Sequence, residues 1–209
     1  DGSACMVARV RARDACAACE EAANVALGFF TLSSEDKQRL SMVGLAEASL
    51  SGAEVRWGWS RDGGEVEHLS WSGACDAVPA HPRLKEELAR AWECLRRVAE
   101  ECTTGSRVGD CTLRMNFYPA SSDESPSAPS PRLSYGEHCD LSVRTLVWQS
   151  GPGLQVRTGD GAWEDYAPSE GELVSLAGKE ADSGGCLHRV LACAGVRLSV
   201  SFFIHASPD

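Results

Sequence analysis

Three side chains in the second half of the chain carry atoms that can bind a transition metal. His138 and Asp140 are two residues apart, on either side of Cys139. Side chains at positions i and i+2 of an extended chain point to the same side, so this imidazole and this carboxylate are expected to face one point. His188 follows 48 residues after Asp140 and offers a second imidazole. Two imidazoles and one carboxylate leave three coordination positions open, a donor set that suits Fe(II) and the activation of O2.

Each part of this pattern also has a simpler explanation. The chain has 5 histidines, and one His-x-Asp triplet can arise by chance in a sequence of 209 residues. His188 can equally be a buried or capping histidine with a structural role. The metal interpretation therefore needs support from another part of the chain.

A strand near the end of the chain gives that support. Its apolar and polar residues alternate strictly, with Val196, Leu198, Val200 and Phe202 on one side and Arg197, Ser199 and Ser201 on the other. An arginine inside a barrel is costly unless it pairs with an anion, and no acidic residue lies nearby in the sequence. A small dicarboxylate, gripped by Arg197 and hydrogen-bonded by Ser199, would satisfy it. The alternative is an outward-facing arginine with two solvated serines.

The elements that must position these residues are helices first and strands second. Asp14 is expected to cap a helix that runs through an Ala-rich stretch to Leu27, and Ser33 begins another helix. Pro82 opens the clearest helix, in which apolar residues recur every three or four positions up to Cys102. After Gly109 come short β-type runs separated by Gly-containing turns, at residues 111–118, 141–149, 154–157, 172–176 and 196–204.

Short strands with no helices between them are typical of a sandwich or jelly roll. We therefore predict an α+β fold, in which N-terminal helices back a double-stranded β-helix (jelly-roll) core. The length fits a single domain covering residues 1–209. Residues 1–110 would form its helical and loop portion, and residues 111–209 its jelly-roll core.

Composition excludes several classes of partner. The chain has 20 Lys and Arg against 30 Asp and Glu, which gives a formal net charge of −10. This charge argues against a nucleic-acid partner and against docking on an anionic membrane. No apolar run approaches the roughly 18 residues that span a bilayer. We expect a cytoplasmic protein whose partner is a small-molecule substrate.

Cysteine is frequent, with 10 residues scattered along the chain. We expect reduced thiols in a cytoplasmic protein, most of them buried. Cys16 and Cys19 form a single CxxC pair, which lacks the second pair of ligands that a zinc site needs. They are expected to lie on one face of the Ala-rich helix.

From Arg114 onward the chain resembles the Fe(II)- and 2-oxoglutarate-dependent oxygenases of the isopenicillin N synthase-like superfamily. The matching motifs occur in the family's order: Arg114-Met115-Asn116-Phe117-Tyr118-Pro119, His138-Cys139-Asp140, Pro152-Gly153-Leu154-Gln155-Val156, Trp163, Gly171-Glu172-Leu173-Val174, His188-Arg189-Val190 and Arg197-Leu198-Ser199. Their order and spacing are more specific than any single motif.

The resemblance implies a role for each group of residues. His138, Asp140 and His188 would hold Fe(II), and Arg197 and Ser199 would bind the distal carboxylate of 2-oxoglutarate. Asn116 and Tyr118 match a pair that contacts the cosubstrate, and Arg114 on the same strand face would join them. The implied activity is hydroxylation of a small organic substrate with release of succinate and CO2, with ascorbate as a reductant. The alternatives are an Fe(II) oxidase that does not use 2-oxoglutarate, and a binding or regulatory module on a degenerate oxygenase fold.

The sequence also departs from the family's pattern. The segment from Gly171 to His188 is short, and the chain stops soon after Ser199, so we expect no C-terminal helix over the barrel mouth. Two segments remain as candidate walls: residues 51–80, which contain Trp57, Trp59 and Trp71, and the Ser- and Pro-rich loop 120–131. Aromatic side chains make rigid apolar walls, so at least one of these three tryptophans is expected at the substrate pocket. The alternative is that they pack the helices against the sheet.

Overall fold

The computed structural model describes residues 6–40, 48–50, 53–55, 58–61, 65–71, 82–102, 108–121, 131–182 and 184–206. The helices within these residues are α1 (Arg13–Phe30), α2 (Ser34–Leu40) and α3 (Pro82–Cys102). The strands are β1 (Val7–Arg11), β2 (Ala48–Leu50), β3 (Ala53–Val55), β4 (Gly58–Arg61), β5 (Glu67–Trp71), β6 (Val108–Tyr118), β7 (Leu133–His138), β8 (Arg144–Gln149), β9 (Leu154–Arg157), β10 (Trp163–Asp165), β11 (Glu172–Ala177), β12 (His188–Leu191) and β13 (Arg197–Ala206).

The two long helices pack against each other and against one face of a sheet. α3 has the predicted bounds, and its apolar stripe buries Leu84, Leu88, Leu95 and Ala99. α1 buries a row of alanines, whose small side chains allow the two helices to approach closely. Its predicted cap is wrong: Ala12 occupies the N-cap position without a side-chain hydrogen bond, and Asp14 lies in the first turn. There its carboxylate still interacts favourably with the helix dipole.

Two sheets form the jelly roll, which confirms the predicted fold class. The larger has seven strands in the order β1-β11-β8-β13-β6-β5-β4, and the smaller has four in the order β10-β9-β12-β7. β6 and β13 pair antiparallel at the centre of the larger sheet, from Arg197 opposite Tyr118 to Ile204 opposite Cys111. β2 and β3 form a separate two-stranded ladder.

The alternation predicted for β13 divides the molecule into two sides. Leu198, Val200 and Phe202 are buried in the core that the larger sheet shares with α1 and α3. Arg197, Ser199 and Ser201 line a cavity on the opposite face of the sheet. Val196 precedes the strand and is 51% exposed, so the alternation begins only at Arg197. One strand thus supplies both the helix-side core and the floor of the cavity.

Several strands were absent from the sequence prediction. β1 precedes the helices and pairs with β11 along five residues, although its sequence VARVR has no period-two pattern. It lies at the sheet edge, where backbone pairing rather than apolar burial defines the strand. β7 and β12, which carry the two metal-binding histidines predicted from the sequence, were also missed. β7 has no buried residue, and β12 has only four residues.

The cysteines agree with the prediction only in part. Seven of the described cysteines are free thiols, but three of these are buried and four only partly buried, so most are not buried as predicted. Cys16 and Cys19 are free thiols buried on α1, and burial raises the pKa of Cys16 to about 11. Cys186, however, is disulfide-bonded, so the expectation that all cysteines are reduced is wrong there. Scattered spacing does not indicate which cysteines the fold brings together, since pairing cannot be read from sequence alone.

Candidate functional site

Two strands of the smaller sheet bring the three predicted metal-binding residues together. His138 ends β7 and His188 begins β12, and the two histidines are directly opposite each other in the antiparallel pairing. Their ring centroids are 4.2 Å apart. Asp140 follows β7 by two residues, which places its carboxylate beside both rings. His138 and His188, about 50 residues apart in the sequence, are thereby brought together as one cross-strand pair.

The donor atoms of these residues converge on one point. The Nε2 atoms of His138 and His188 lie 3.6 and 3.7 Å from Oδ1 of Asp140, and all three donor atoms lie within 4.8 Å of one another. Asp140 and His188 are buried, whereas the His138 side chain is 33% exposed. The site is therefore open on the His138 side and enclosed on the other.

Backbone carbonyls fix both imidazoles in the orientation that a metal requires. Nδ1 of His138 donates to the Gly136 carbonyl at 2.8 Å, and Nδ1 of His188 donates to the Cys186 carbonyl at 2.9 Å. A carbonyl oxygen only accepts, so in each neutral ring the proton is on Nδ1 and the lone pair is on Nε2. Burial also lowers the pKa of His188, against the opposing effect of Asp140, so this ring is neutral near pH 7.

The two oxygens of Asp140 have different partners. Oδ2 accepts a hydrogen bond from the Thr145 hydroxyl at 2.7 Å, and Thr145 in turn contacts the Ser142 hydroxyl at 3.1 Å. Oδ1 faces the imidazoles. Burial alone raises the pKa of Asp140, but His138, His188 and the Thr145 hydroxyl outweigh it, and the pKa lies below its ordinary value. The carboxylate is therefore ionised.

A turn after β11 holds the backbone around Asp140. The amides of Gly178, Lys179 and Glu180 donate to the carbonyls of Val143, Asp140 and Ser142, at 3.1, 2.8 and 3.0 Å. Three backbone hydrogen bonds thus position the segment that carries the carboxylate. The donor set of two imidazoles and one carboxylate fits Fe(II) or a similar divalent ion, with coordination positions left open.

Arg197 extends into the same cavity at the start of β13. It is 3% exposed, its Nη2 donates to Oε1 of Gln149 at 2.7 Å, and its guanidinium lies over the Tyr118 ring at 4.7 Å. Its Nη1 is buried without a hydrogen-bond partner among the described residues. A buried guanidinium with an unsatisfied donor is costly, and a ligand carboxylate would remove that cost.

Asn116 and Ser199, predicted as neighbours of Arg197, form part of a hydrogen-bond chain. Asn116 Nδ2 donates to the hydroxyls of Ser199 at 3.0 Å and Ser201 at 3.2 Å. Asn116 Oδ1 lies 2.8 Å from Nδ1 of His68, which therefore donates to it. The Ser199 hydroxyl accepts from Asn116, so its own proton can be donated to a ligand.

The cavity has a volume of about 320 Å³ and contains every metal-binding and cosubstrate residue predicted from the sequence. These are Arg114, Asn116, Tyr118, His138, Asp140, His188, Arg197 and Ser199. Sequence reasoning missed His68, Gln149 and His205. His68 contacts Asn116 and Gln149 contacts Arg197, in each case between paired strands whose residues are about 48 positions apart in the sequence. A weak signal existed for His205, which continues the alternation of Arg197, Ser199 and Ser201.

The predicted aromatic wall is not formed by the tryptophans that the structure describes. Trp71 is buried in the helix-side core and packs edge-on against Trp92 at 6.1 Å. Trp59 also packs against that core, and its Nε1 donates to Glu67 at 2.7 Å. Neither lines the cavity, because the cavity lies on the opposite face of the sheet. Trp57 lies outside the described residues, as does most of the loop 120–131.

Residues 109–206 match the family described as the 2OG-Fe(II) oxygenase superfamily. A 2-oxoglutarate-Fe(II) type oxidoreductase of Metarhizium majus is 40% identical over 70 residues, which are 31% of this chain and 19% of that protein. Scopoletin 8-hydroxylase of Arabidopsis thaliana is 32% identical over 120 residues, 53% of this chain and 32% of that protein. The chain thus matches only about a fifth to a third of the length of these two relatives.

The fold is also found in a solved structure. A full-length Neurospora crassa protein in complex with alpha-KG and 5-formyluracil superposes with a TM-score of 0.72 at 24% identity. The superposition covers 89% of this chain and 69% of that one. At this identity the likeness establishes the jelly-roll fold.

Proposed function

We propose that this chain is a member of the 2OG-Fe(II) oxygenase superfamily and acts as an Fe(II)- and 2-oxoglutarate-dependent dioxygenase that hydroxylates a small organic substrate. Fe(II) and 2-oxoglutarate are the cofactors of this superfamily. In the proposed reaction one oxygen atom of O2 enters the substrate as a hydroxyl group and the other enters succinate, while 2-oxoglutarate loses CO2.

One observation carries this proposal. A single cavity holds a convergent set of two imidazole nitrogens and a carboxylate, together with a buried arginine whose Nη1 has no partner in the described part of the chain. The first feature suits a divalent metal, and the second suits an anion. 2-Oxoglutarate meets both requirements, because its keto-acid end chelates metals and its other end is a carboxylate.

In this proposal the protein residues hold and orient the reactants. His138, Asp140 and His188 hold Fe(II), which when bound supplies the redox chemistry with O2. Arg197 grips the distal carboxylate of 2-oxoglutarate, and the Ser199 hydroxyl donates a further hydrogen bond. The Tyr118 ring supports the Arg197 guanidinium, and Asn116 orients Ser199. The unsatisfied Arg197 favours a 2-oxoglutarate enzyme over an Fe(II) oxidase that needs no dicarboxylate.

As the sequence predicts, we propose that the chain acts on a small molecule in the cytoplasm. A net charge of −10 disfavours nucleic acid as a substrate. No helix in the described part of the chain is long and apolar enough to cross a membrane. We also propose that residues 1–209 act as one domain, because α1 and α3 share a core with the sheet of the 111–209 jelly roll.

Succinate formation tests the proposal. The chain is incubated in air with Fe(II), ascorbate and 2-oxoglutarate, and succinate is quantified by mass spectrometry. We expect slow succinate release even without a primary substrate, and none from the Asp140→Ala variant. A chain that binds Fe(II) and 2-oxoglutarate but never forms succinate would be a binding module. Metal-dependent O2 consumption without any need for 2-oxoglutarate would identify an oxidase.

A further inference from the structure

The floor of the cavity carries two arginines on neighbouring strands. Arg197 on β13 is opposite Tyr118, and Arg114 on β6 is opposite Ser201. Ser201 is four residues beyond Arg197, so the two arginine positions are about 13 Å apart along the strands. Both residues line the cavity, and Arg114 is half-buried.

The contacts of Arg114 direct its guanidinium away from Arg197. Its Nε donates to the Ser70 hydroxyl at 3.3 Å, and its Cζ lies 5.4 Å from the centre of the Phe203 ring. Phe203 is six residues beyond Arg197 on β13, toward the opposite end of the cavity. The two guanidinium groups therefore serve different ends of the cavity, and one carboxylate cannot satisfy both.

Arg114 has no acidic partner in the part of the chain that the structure describes. Asp140 is the acidic residue that lines the cavity, and its oxygens face the histidines and Thr145. Among the residues that line the cavity, two guanidinium charges and one carboxylate leave one positive charge. Glu180 and Asp110 act on His205 from outside this lining. Fe(II) would add two positive charges and 2-oxoglutarate would remove two, so one positive charge would remain. That charge matches one further carboxylate.

Unsatisfied polar atoms accompany Arg114 at its end of the cavity. Within the described residues, the Thr112 hydroxyl and both ring nitrogens of His205 are buried without a hydrogen-bond partner, and both residues line the cavity. Thr112 is opposite Phe203 in the strand pairing, and His205 is the next residue on that strand face. The Phe203 ring offers apolar contact at this end, and Leu141, which is 52% exposed, adds an apolar side chain to the cavity lining. A ligand there needs an anionic group, a hydrogen-bonding group and an apolar body.

We infer that Arg114 binds the carboxylate of the primary substrate, which makes the substrate class small monocarboxylic acids with an apolar body. The inference rests on the proposed function, because the charge count includes Fe(II) and 2-oxoglutarate. It reassigns Arg114, which the sequence resemblance placed with the cosubstrate residues.

Direct binding tests the inference with defined probes. Phenylacetate, 3-phenylpropionate, 4-phenylbutyrate and octanoate are each compared with the uncharged primary amide of the same acid. Binding is measured by calorimetry under nitrogen, to the chain loaded with Fe(II) and 2-oxoglutarate. The parent is expected to bind at least one acid at least about tenfold more tightly than its amide, as for a charge-assisted pair. Arg114→Gln is expected to lose this preference.

Two controls separate this inference from the proposed function. Arg96→Gln removes a half-buried arginine that lies 5.7 Å from a Trp92 ring outside the cavity, and it should keep the preference for the acid. The affinity of each variant for 2-oxoglutarate is measured in the same way. If Arg114→Gln weakens 2-oxoglutarate binding as strongly as Arg197→Gln does, Arg114 belongs to the cosubstrate and the inference is wrong.

The remaining outcomes are equally decisive. The inference is overturned if no acid is preferred over its amide by the parent, or if the preference survives in Arg114→Gln. If the parent binds no 2-oxoglutarate at all, the proposed function itself fails. The inference is supported if Arg114→Gln loses the preference for the acid over its amide and keeps its affinity for 2-oxoglutarate, while Arg96→Gln keeps the preference.

Discussion

At the residue scale, Asp140 uses its two oxygens for different purposes. Oδ2 is held by Thr145, and Oδ1 is left beside the two Nε2 atoms. Asp140→Ala removes the only carboxylate that lines the described cavity. We expect Fe(II) affinity to fall below detection in anaerobic calorimetry, while Glu164→Ala, an exposed carboxylate on β10, leaves it unchanged. Equal Fe(II) affinity in Asp140→Ala and the parent would refute the assignment of the metal site.

Arg197 gives the second prediction at this scale. Arg197→Gln removes the buried cation but keeps a side chain that can hydrogen-bond to Gln149. We expect 2-oxoglutarate to bind at least about tenfold more weakly, because a charge-assisted pair contributes roughly 1.5–3 kcal/mol. Fe(II) affinity, measured in the same calorimeter, should stay within about twofold of the parent. A variant that binds 2-oxoglutarate as tightly as the parent would show that the cosubstrate lies elsewhere.

Site residues could be predicted from the sequence where they lie within a few positions of one another. Arg197, Ser199 and Ser201 alternate along one strand, so this set follows from strand geometry. His138 and Asp140 were found from their i, i+2 spacing, although only His138 lies in β7. His68 could not be found in this way. Its partner Asn116 is 48 residues away and reaches it only through the pairing of β5 with β6.

At the scale of elements, the turn after β11 makes its own prediction. A Cβ at Gly178 would lie 1.9 Å from the Ser142 carbonyl oxygen, which backbone shifts must relieve. Gly178→Ala is therefore expected to displace the segment that carries Asp140, weakening Fe(II) binding at least about tenfold and lowering stability by roughly 1–3 kcal/mol. Both are measured by calorimetry and urea unfolding.

A matched control exists on β7. A Cβ at Gly136 would meet no atom within 4 Å, although this glycine is two residues from His138. Gly136→Ala should keep the Fe(II) affinity of the parent, because the His138 hydrogen bond uses the Gly136 backbone carbonyl. If Gly178→Ala bound Fe(II) as well as Gly136→Ala does, the turn would not position Asp140.

The helix-side core should affect stability without affecting the cavity. Leu88 on α3 is fully buried, and Leu88→Ala is expected to lower the free energy of unfolding by about 2–5 kcal/mol. Because the cavity lies on the other face of the sheet, 2-oxoglutarate affinity well below the melting temperature should stay near that of the parent. Urea unfolding and calorimetry measure the two effects. If Leu88→Ala lowered both the free energy of unfolding and the 2-oxoglutarate affinity, the two faces of the sheet would be coupled.

Periodicity explains which elements sequence reasoning found. α3 and β13 have strong patterns, and their predicted bounds are close to those observed. β1 and β7 are edge strands and β12 has only four residues, and the pairing of all three depends on residues far away in the sequence. The tryptophans on β4 and β5 were only candidates for the cavity wall, because the sequence of these short strands does not show which face of the sheet a side chain occupies.

At the scale of the whole molecule, buried neutral histidines link stability to pH. Burial lowers the pKa of both His205 and His188 below the ordinary value of 6.5. Below about pH 6.5 the unfolded chain protonates these rings while the folded metal-free chain does not, so acid favours unfolding. The free energy of unfolding should fall from pH 7.5 to pH 5.5, a range that lies above the titration of Asp140.

Urea unfolding of the metal-free chain at the two pH values measures this loss. His205→Gln removes one of the two groups and should reduce the difference between pH 7.5 and pH 5.5. An unchanged difference in His205→Gln would show that this ring does not contribute.

The central claim is that the metal ligands and Arg197 act on one molecule of 2-oxoglutarate. The most direct test is the affinity of the chain for 2-oxoglutarate under nitrogen, with and without saturating Fe(II). If the keto-acid end binds the metal, Fe(II) must strengthen 2-oxoglutarate binding, and the coupling must be reciprocal. We predict at least about a tenfold gain in the parent, equivalent to about 1.4 kcal/mol, and no gain in Asp140→Ala. A 2-oxoglutarate affinity that is the same with and without Fe(II) in the parent would contradict the account.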